Sequence, residues 1–499
     1  MEAFDILRNQ RLEKLHKLLD MGVSAYPYQF ERTRTAVEAV AGFQENEGRN
    51  PVMSLAGRLM AIRRMGKASF AHLADSTGRI QLYLSQETVG ENGYAVFKQL
   101  DLGDIVGVTG TIFRTKTGEI TLKVDALTLL AKTLRTLPIV KEKVEGDEKV
   151  VYDAFADKEL RYRQRYVDLI VNPDVRETFL LRSRLVSAMR RFLEEKGYIE
   201  VETPILQPQY GGAFARPFTT HHNALDIPLY LRIADELYLK RLIVGGIDGV
   251  FEIAKDFRNE GMDKDHNPEF TMMELYVAYQ DYTFMMDLVE AMVRYISKAV
   301  LGKETVVYQG QELSFARPWK RMGYFEAVQI HAGIDLYQKD ADEVRKASKT
   351  LNIPFESAWP SEKLIDEIFG QVVQPKLVEP TIVLDYPAAL SPLAKHHRSK
   401  AGLVERFEGF IMGKEVCNAF SELNDPLDQR KRLETQAQLR AGGDEEAMVV
   451  DDDFIRSLEY GMPPTAGLGL GVDRLVMLLT DSPSIRDVIL FPQMRPEKA

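Results

Sequence analysis

The chain has 499 residues, with 64 Lys and Arg against 74 Asp and Glu, a net charge of −10 and one cysteine. That length suits two or three domains with cores of their own, and the composition is that of an ordinary globular protein. Cys417 alone excludes an internal disulfide and a cysteine-based zinc site, and no apolar run is long enough for a membrane-spanning helix, so no membrane partner is expected.

The charge is uneven. Residues 1–150 carry 21 basic and 19 acidic side chains, the remainder 43 and 55. The N-terminal third is therefore the better partner for a polyanion. Its first residues are charged throughout and lack the apolar core of a secretion signal, so a cytoplasmic protein is expected. Residues 3–21 read as an amphipathic helix, with Leu7, Leu12, Leu15 and Leu19 near helical spacing. Arg8, Arg11, Lys14 and Lys17 step by three along another face, a stripe expected to face solvent.

Residues 52–131 read as five or so short strands broken by the turns DSTGR and TKTG. A closed barrel of that size points to an OB-fold, which binds oligonucleotides on one strand face. Phe70, Gln81 and Tyr83 sit among Arg63, Arg64, Lys67 and Arg79, a mixture suited to stacking single-stranded bases. A charged stretch at 140–160 reads as a linker or short helical hinge. The expected organisation is a helical extension over 1–50, an OB-fold domain over 51–136, a linker over 137–160 and a catalytic domain over 161–499.

Beyond Arg161 the elements lack βαβ regularity, there is no Walker A motif, and GLGLGVDR at 467–474 is not GxGxxG. An α+β domain on an antiparallel sheet is expected. GVFEIAKDFRNEGMDKDHNPEFTMMELYVAY predicts a long hairpin in which Phe270, Met272, Glu274 and Tyr276 share one face and Arg258 sits at the loop end. In GFIMGKEVCNAFSELND, Asn418, Phe420 and Glu422 share a face. Glu415 is out of phase with Glu422, so a turn or bulge, which Gly413 could supply, must intervene if both hold one metal ion. Gly467, Gly469 and Gly471 alternate with apolar residues, leaving one strand face bare for a flat ligand. Arg474 then opens an apolar helix.

FRNEG with HNPEFTMMELY resembles motif 2 of the class II aminoacyl-tRNA synthetases, and GLGLGVDRLVMLL resembles motif 3. RSRLVSAMRRFLEEKGYIEVETPILQP, with Pro204, resembles motif 1. Within that class, RRMGKASF, RYRQRYVDLI, GGAFARPFTTHHNALD, FSELNDPLDQR and PPTAGLGLGVDR are similar to the lysyl-tRNA synthetases of bacterial type, across residues 5–495. The resemblance implies a homodimer that activates L-lysine with ATP and Mg²⁺ and transfers it to tRNA(Lys). It implies anticodon contacts at Phe70, Gln81 and Glu119, with the N-terminal basic stripe facing RNA.

It further implies ATP contacts at Arg258, Glu260, His266, Phe270, Glu415 and Arg474, with Arg258 and Arg474 catalytic and Arg474 either stacked on adenine or on the γ-phosphate. Lysine contacts are implied at Gly212, Glu236, Glu274, Tyr276, Asn418, Phe420 and Glu422. The implied Mg²⁺ carboxylates are Glu415 and Glu422, with Glu422 serving metal, lysine or both. The chain departs from the family in ADELYLK, where Asp235 replaces an expected proline and puts loop stiffness in question.

Overall fold

The computed structural model describes residues 2–44, 50–138, 141–145, 148–152, 155–356, 359–442 and 447–497. Two compact units are present, Met1–Ala156 and Asp157–Ala499. Among the described residues no helix is long and apolar enough to cross a membrane.

The first unit opens with helix α1, Glu2–Asp20. Its buried side is not the leucine stripe read from spacing, since Leu7 and Leu19 are exposed while Arg11 and Leu18 are buried. The Arg11 guanidinium donates to the carbonyls of Leu102, Thr133 and Arg135 and to the Thr133 hydroxyl. Lys14 pairs with Asp101 at 2.5 Å. Hydrogen bonds from a charged donor are worth about 1.5–3 kcal/mol each, enough to outweigh the preference of one Arg for water. Half of the stripe expected to meet solvent or RNA is thus spent holding α1 in place, and Arg8 and Lys17 remain exposed.

Five strands follow: β1 (Met53–Met65), β2 (Ala68–Ala74), β3 (Arg79–Ser85), β4 (Ile105–Arg114) and β5 (Ile120–Ala131). They close in the order β1-β2-β3-β5-β4. β1 is long enough to pair with β4 through its first half and with β2 through its second, across a register shift between Leu59 and Ala61. Gly57 sits at this crossing, where a Cβ would lie 2.5 Å from the Ala74 carbonyl oxygen. Leu55, Leu59, Leu73, Leu82, Val106, Val108, Leu122 and Val124 fill the interior. Helix α2 (Gln86–Gln99) lies between β3 and β4 in the chain. The charged stretch expected as a linker or helical hinge contains a hairpin, Lys141–Glu145 paired with Glu148–Tyr152, before the short helix Lys158–Arg163.

In the second unit an eight-stranded sheet organises the site. Its strands are β6 (Ile199–Glu200), β7 (Gly249–Phe257), β8 (Glu269–Ala278), β9 (Lys320–Gly323), β10 (Thr381–Pro387), β11 (Leu403–Ile411), β12 (Lys414–Ser421) and β13 (Thr465–Gly471). The spatial order is β9-β10-β11-β12-β13-β8-β7-β6, parallel at the two outer pairs and antiparallel between. The mixed helices and sheets make this an α+β fold, as expected. One face is covered by helices α3 (Pro173–Glu194), α5 (Tyr282–Leu301) and α6 (Val472–Leu479), whose apolar sides meet Met273, Leu275, Leu468 and Leu470 in one core. Period two does the sorting: the same strands send their intervening residues to the opposite face.

Candidate active site

That opposite face is the floor of a cleft of about 430 Å³. Gly212, Glu236, Arg258, Glu260, His266, Phe270, Glu274, Tyr276, Glu415, Asn418, Phe420 and Arg474 all line it. The sheet register explains the grouping. Glu274 lies opposite Gly469, which lies opposite Asn418, and Tyr276 lies opposite Gly467, which lies opposite Phe420. The bare face expected on β13 is therefore real, with one qualification. A Cβ on Gly467 would come 2.0 Å from Glu422 Oε1 and 2.6 Å from the Tyr276 ring, so these side chains already occupy that glycine's space.

At the loop end, the Arg258 guanidinium lies over the Phe270 ring, 5.0 Å from its centroid. Its Nε donates a long 3.4 Å hydrogen bond to the Ile233 carbonyl, and no carboxylate of the described residues lies within ion-pair distance. Arg474 donates to the Glu415 carbonyl at 2.6 Å and lies 3.4 Å from His266 Nε2. Asp473, just before it, accepts from the Thr271 backbone N–H and from Arg182, which fixes α6 against β8.

The deep end is anionic. Tyr276 donates to Glu274 at 2.9 Å. Lys240, fully buried, lies 2.5 Å from Glu236 Oε1 and also pairs with Glu422 Oε2. Glu422 Oε1 is buried and makes no hydrogen bond among the described residues. Burial pushes the carboxyls of Glu236, Glu274 and Glu422 up; the Lys240 ammonium counters this at Glu236 and Glu422. Glu274 has no such cation and sits at about 8, raised by burial, then by Asp256 and Glu236.

Three expectations need correction. Glu415 and Glu422 do not share an ion: one stands at the start of β12 and the other just past its end, seven residues or roughly 20 Å apart along an extended chain, and Glu422 is engaged by Lys240. The carboxylate near Glu415 is instead Glu408 on the adjoining β11, which burial and then Glu415 push up to about 7. Arg406 pairs with Glu408 at 2.5 Å from the other side. The alternation in ERFEGF carried this signal, because Arg406 and Glu408 share the phase of the face that meets Asn418.

The expected bulge exists, but at Val416. Gly409 pairs with Cys417 and Phe410 with Glu415, so one residue of β12 is extra, whereas Gly413 (φ +69°) serves the hairpin turn. Asp235, expected only to bear on loop stiffness, puts a carboxyl into the interior. It caps helix α4 (Glu236–Val244) without a side-chain cap bond, and its carboxylate lies fully buried. There it clusters with Asp256 and Glu274, their oxygens within 4.8 Å of one another, and Arg232 is 3.0 Å away. Burial and then Asp256 hold the Asp235 carboxyl up to about 10.

On the barrel, Phe70, Gln81 and Glu119 come together in one groove with Tyr83, His72 and Phe113. Gln81 donates to Glu119 at 2.6 Å and accepts from the Thr121 hydroxyl. His72 lies 3.3 Å from the other Glu119 oxygen. The Phe70 and Tyr83 rings are 5.4 Å apart. Arg63 lines this groove, but Arg64 turns away and donates to the carbonyls of Lys98 and Leu100.

Comparison with known proteins agrees with both halves. Residues 157–495 match the family of tRNA synthetases class II (D, K and N), and residues 53–130 match the OB-fold nucleic acid binding domain. The chain is 53% identical over 499 residues to a lysine–tRNA ligase of Moorella thermoacetica, covering 100% of this chain and 99% of the relative. It is 52% identical over 487 residues to one of Carboxydothermus hydrogenoformans, covering 97% of each. A third, of Pelotomaculum thermopropionicum, is 51% identical over 502 residues, covering 100% of this chain and 96% of the relative.

Proposed function

Because the chain belongs to the class II tRNA synthetases (D, K and N), we propose that it is an ATP-dependent lysine–tRNA ligase, acting on L-lysine and tRNA(Lys). The observation that carries the choice of amino acid is the carboxylate set Glu236 and Glu274 on the cleft wall with Glu422 buried behind them, its Oε1 unbonded. A buried oxygen of that kind costs free energy until a donor arrives, and an ammonium is the donor that suits it. Aspartate or asparagine would need free cations there, and Lys240 is already committed to Glu236 and Glu422. The test is amino-acid-dependent ATP–pyrophosphate exchange across the standard amino acids and ornithine. Lysine alone should drive it. Ornithine should fall behind by about 1–3 kcal/mol, the worth of one methylene. Exchange with aspartate or asparagine would overturn the reading.

In the first step the lysine carboxylate attacks the α-phosphorus and pyrophosphate leaves. In the second, a terminal ribose hydroxyl of tRNA attacks the aminoacyl carbonyl and AMP leaves. Both steps need positioning and charge stabilisation more than a protein nucleophile. Arg258, free of carboxylates, bridges the lysine carboxylate and the α-phosphate. Phe270 stacks on adenine, with Glu260 at its amino edge. Arg474, anchored on the Glu415 carbonyl beside His266, holds the phosphate tail, which favours that role over stacking. Glu236 and Gly212 take the α-ammonium, while Glu274, Tyr276 and Glu422 surround the ε-ammonium. Asn418 and Phe420 wall the chain between them.

Glu408 and Glu415 are the residues to hold Mg²⁺: two carboxylates on the cleft wall, the first raised by the second, form the oxygen set this ion prefers. When bound there, it supplies charge neutralisation for the polyphosphate. Exposed Ile199, Leu206, Leu225 and Ile227 suit the contact of a homodimer, which a solution mass of two chains would register.

Lysine affinity should depend on pH through Glu274. The free carboxyl sits at about 8, and the ε-ammonium pairs with its ionised form. Below pH 8 the ionised fraction falls about tenfold per unit, so lysine Kd should rise by up to that factor between pH 7 and pH 6. Above pH 8 affinity should stop rising and then fall as the ligand loses protons, first from its α-ammonium and later from its ε-ammonium. Calorimetric titration of lysine from pH 6 to 9 checks this, and a flat profile would remove Glu274 from the pocket.

Phe70→Ala should lower kcat/KM for tRNA(Lys) charging by tenfold or more, since base–aromatic stacking is worth about 1–3 kcal/mol. Lysine-dependent exchange, which uses no tRNA, is the control. Equal losses in both assays would mean the barrel groove does not read the anticodon.

A further inference from the structure

The carboxylate pocket contains a cation of its own. Lys240 lies one helical turn after Glu236 on α4, and its side chain is fully buried. The ammonium takes one oxygen of each of two carboxylates, Glu236 Oε1 and Glu422 Oε2. It also faces the Phe420 and Phe454 rings, 5.4 and 5.8 Å from their centroids. Two oxygens are left over. Glu236 Oε2 points toward Gly212, at the rim of the cleft, and Glu422 Oε1 lies against Gly467 and Tyr276. The pairing thus holds one oxygen of each carboxylate, leaving Glu236 at the cleft wall and Glu422 Oε1 buried just behind it without a hydrogen bond.

A charge count gives this pairing a purpose. Fully ionised, as they must be to meet the substrate, Glu236, Glu274 and Glu422 would carry three negative charges, whereas lysine brings two ammonium groups and a carboxylate matched by Arg258. Lys240 reduces the pocket to two, one for each ammonium. Without it the three carboxylates would repel one another in a buried site and take up protons, losing acceptors for the substrate. Burial works against the Lys240 charge, but Glu236 and Glu422 outweigh it and the ammonium stays protonated.

We propose that Lys240 is a positioning residue for amino-acid selection: a resident ammonium that sets the pocket charge and aims Glu236 and Glu422 at the two ammonium groups of the substrate. The proposal rests on the lysine-ligase reading, so wild-type exchange with lysine is measured first. If that fails, the reading fails and Lys240 is not at issue.

The test proper compares Lys240→Met, which keeps the length and removes the charge, with Lys240→Ala assayed in propylammonium or in propanol. Lys240→Met should raise the lysine KM at least tenfold while the ATP KM stays within about threefold. Lys240→Ala should recover lysine-dependent exchange with propylammonium, which restores the charge, and not with propanol, which only fills the space. A merely structural role predicts the reverse: Lys240→Met close to wild type, or propanol as effective as the amine. Either result overturns the proposal. The rescue comparison stands even if Lys240→Met does not fold.

Discussion

Glu274→Gln will raise the lysine KM in pyrophosphate exchange about 100-fold or more, with the protein at least as stable as before. Removing one partner of a buried charge pair costs about 2–5 kcal/mol, and 100-fold corresponds to about 2.7 kcal/mol. Glutamine keeps the shape and an acceptor for Tyr276, so what disappears is the charge that meets the ε-ammonium. Stability should move the other way. The carboxyl sits at about 8 in the folded protein, against about 4.3 for an ordinary glutamate, with burial, Asp256 and Glu236 as the causes. A raised carboxyl is a folding cost that grows from pH 4.3 and is complete above pH 8, because the unfolded chain ionises first. Glutamine has no such cost. Melting at pH 8 should therefore show the variant equal to or above the parent. A variant that loses both lysine affinity and stability would mean that Glu274 serves the core instead of the substrate.

Arg258→Ala will lower kcat for exchange about 1000-fold with little change in melting temperature. The guanidinium is poised over Phe270 with one long hydrogen bond and no ion pair, so apart from its pull on the buried Asp256 carboxyl the fold barely depends on it. The reaction does, because charge builds on the α-phosphoryl oxygens as two anions are brought together. Single donors aimed at such charge are worth about 100- to 1000-fold, and arginines on transferring phosphoryl groups more. Arg258→Lys should recover only part of the loss, since an ammonium lacks the planar fork that can engage carboxylate and phosphate at once. Single-turnover measurement of adenylate formation separates this from binding. A fall of less than tenfold would exclude the bridging role.

The parts of this site that were legible in the sequence are those carried by one strand. Phe270, Glu274 and Tyr276 could be placed on one face because period two needs no knowledge of neighbours, and the same holds for the glycines of β13. The barrel was legible because Gly-containing turns punctuate its short strands. The failures all concern partners on another element. Glu408 belongs with Glu415 only because β11 and β12 adjoin with one residue extra. Asp235 looked like a change in loop stiffness because its partner Asp256 arrives on another strand. Arg11 looked solvated because the carbonyls that receive it lie beyond residue 100. Helical spacing locates a face, but what covers it is decided by tertiary packing.

Val416 makes two halves of one strand independent in how they can be inherited. In a regular strand, odd and even residues serve opposite faces, so any gain or loss of one position exchanges the two sets. With the extra residue, odd-numbered Glu415 and even-numbered Asn418 open onto the same cleft. In the function proposed for this chain, nucleotide chemistry falls on the near side of the bulge and choice of amino acid on the far side. A lineage could thus rework the selecting half, changing which amino acid it accepts, while the half that handles ATP passes on unaltered.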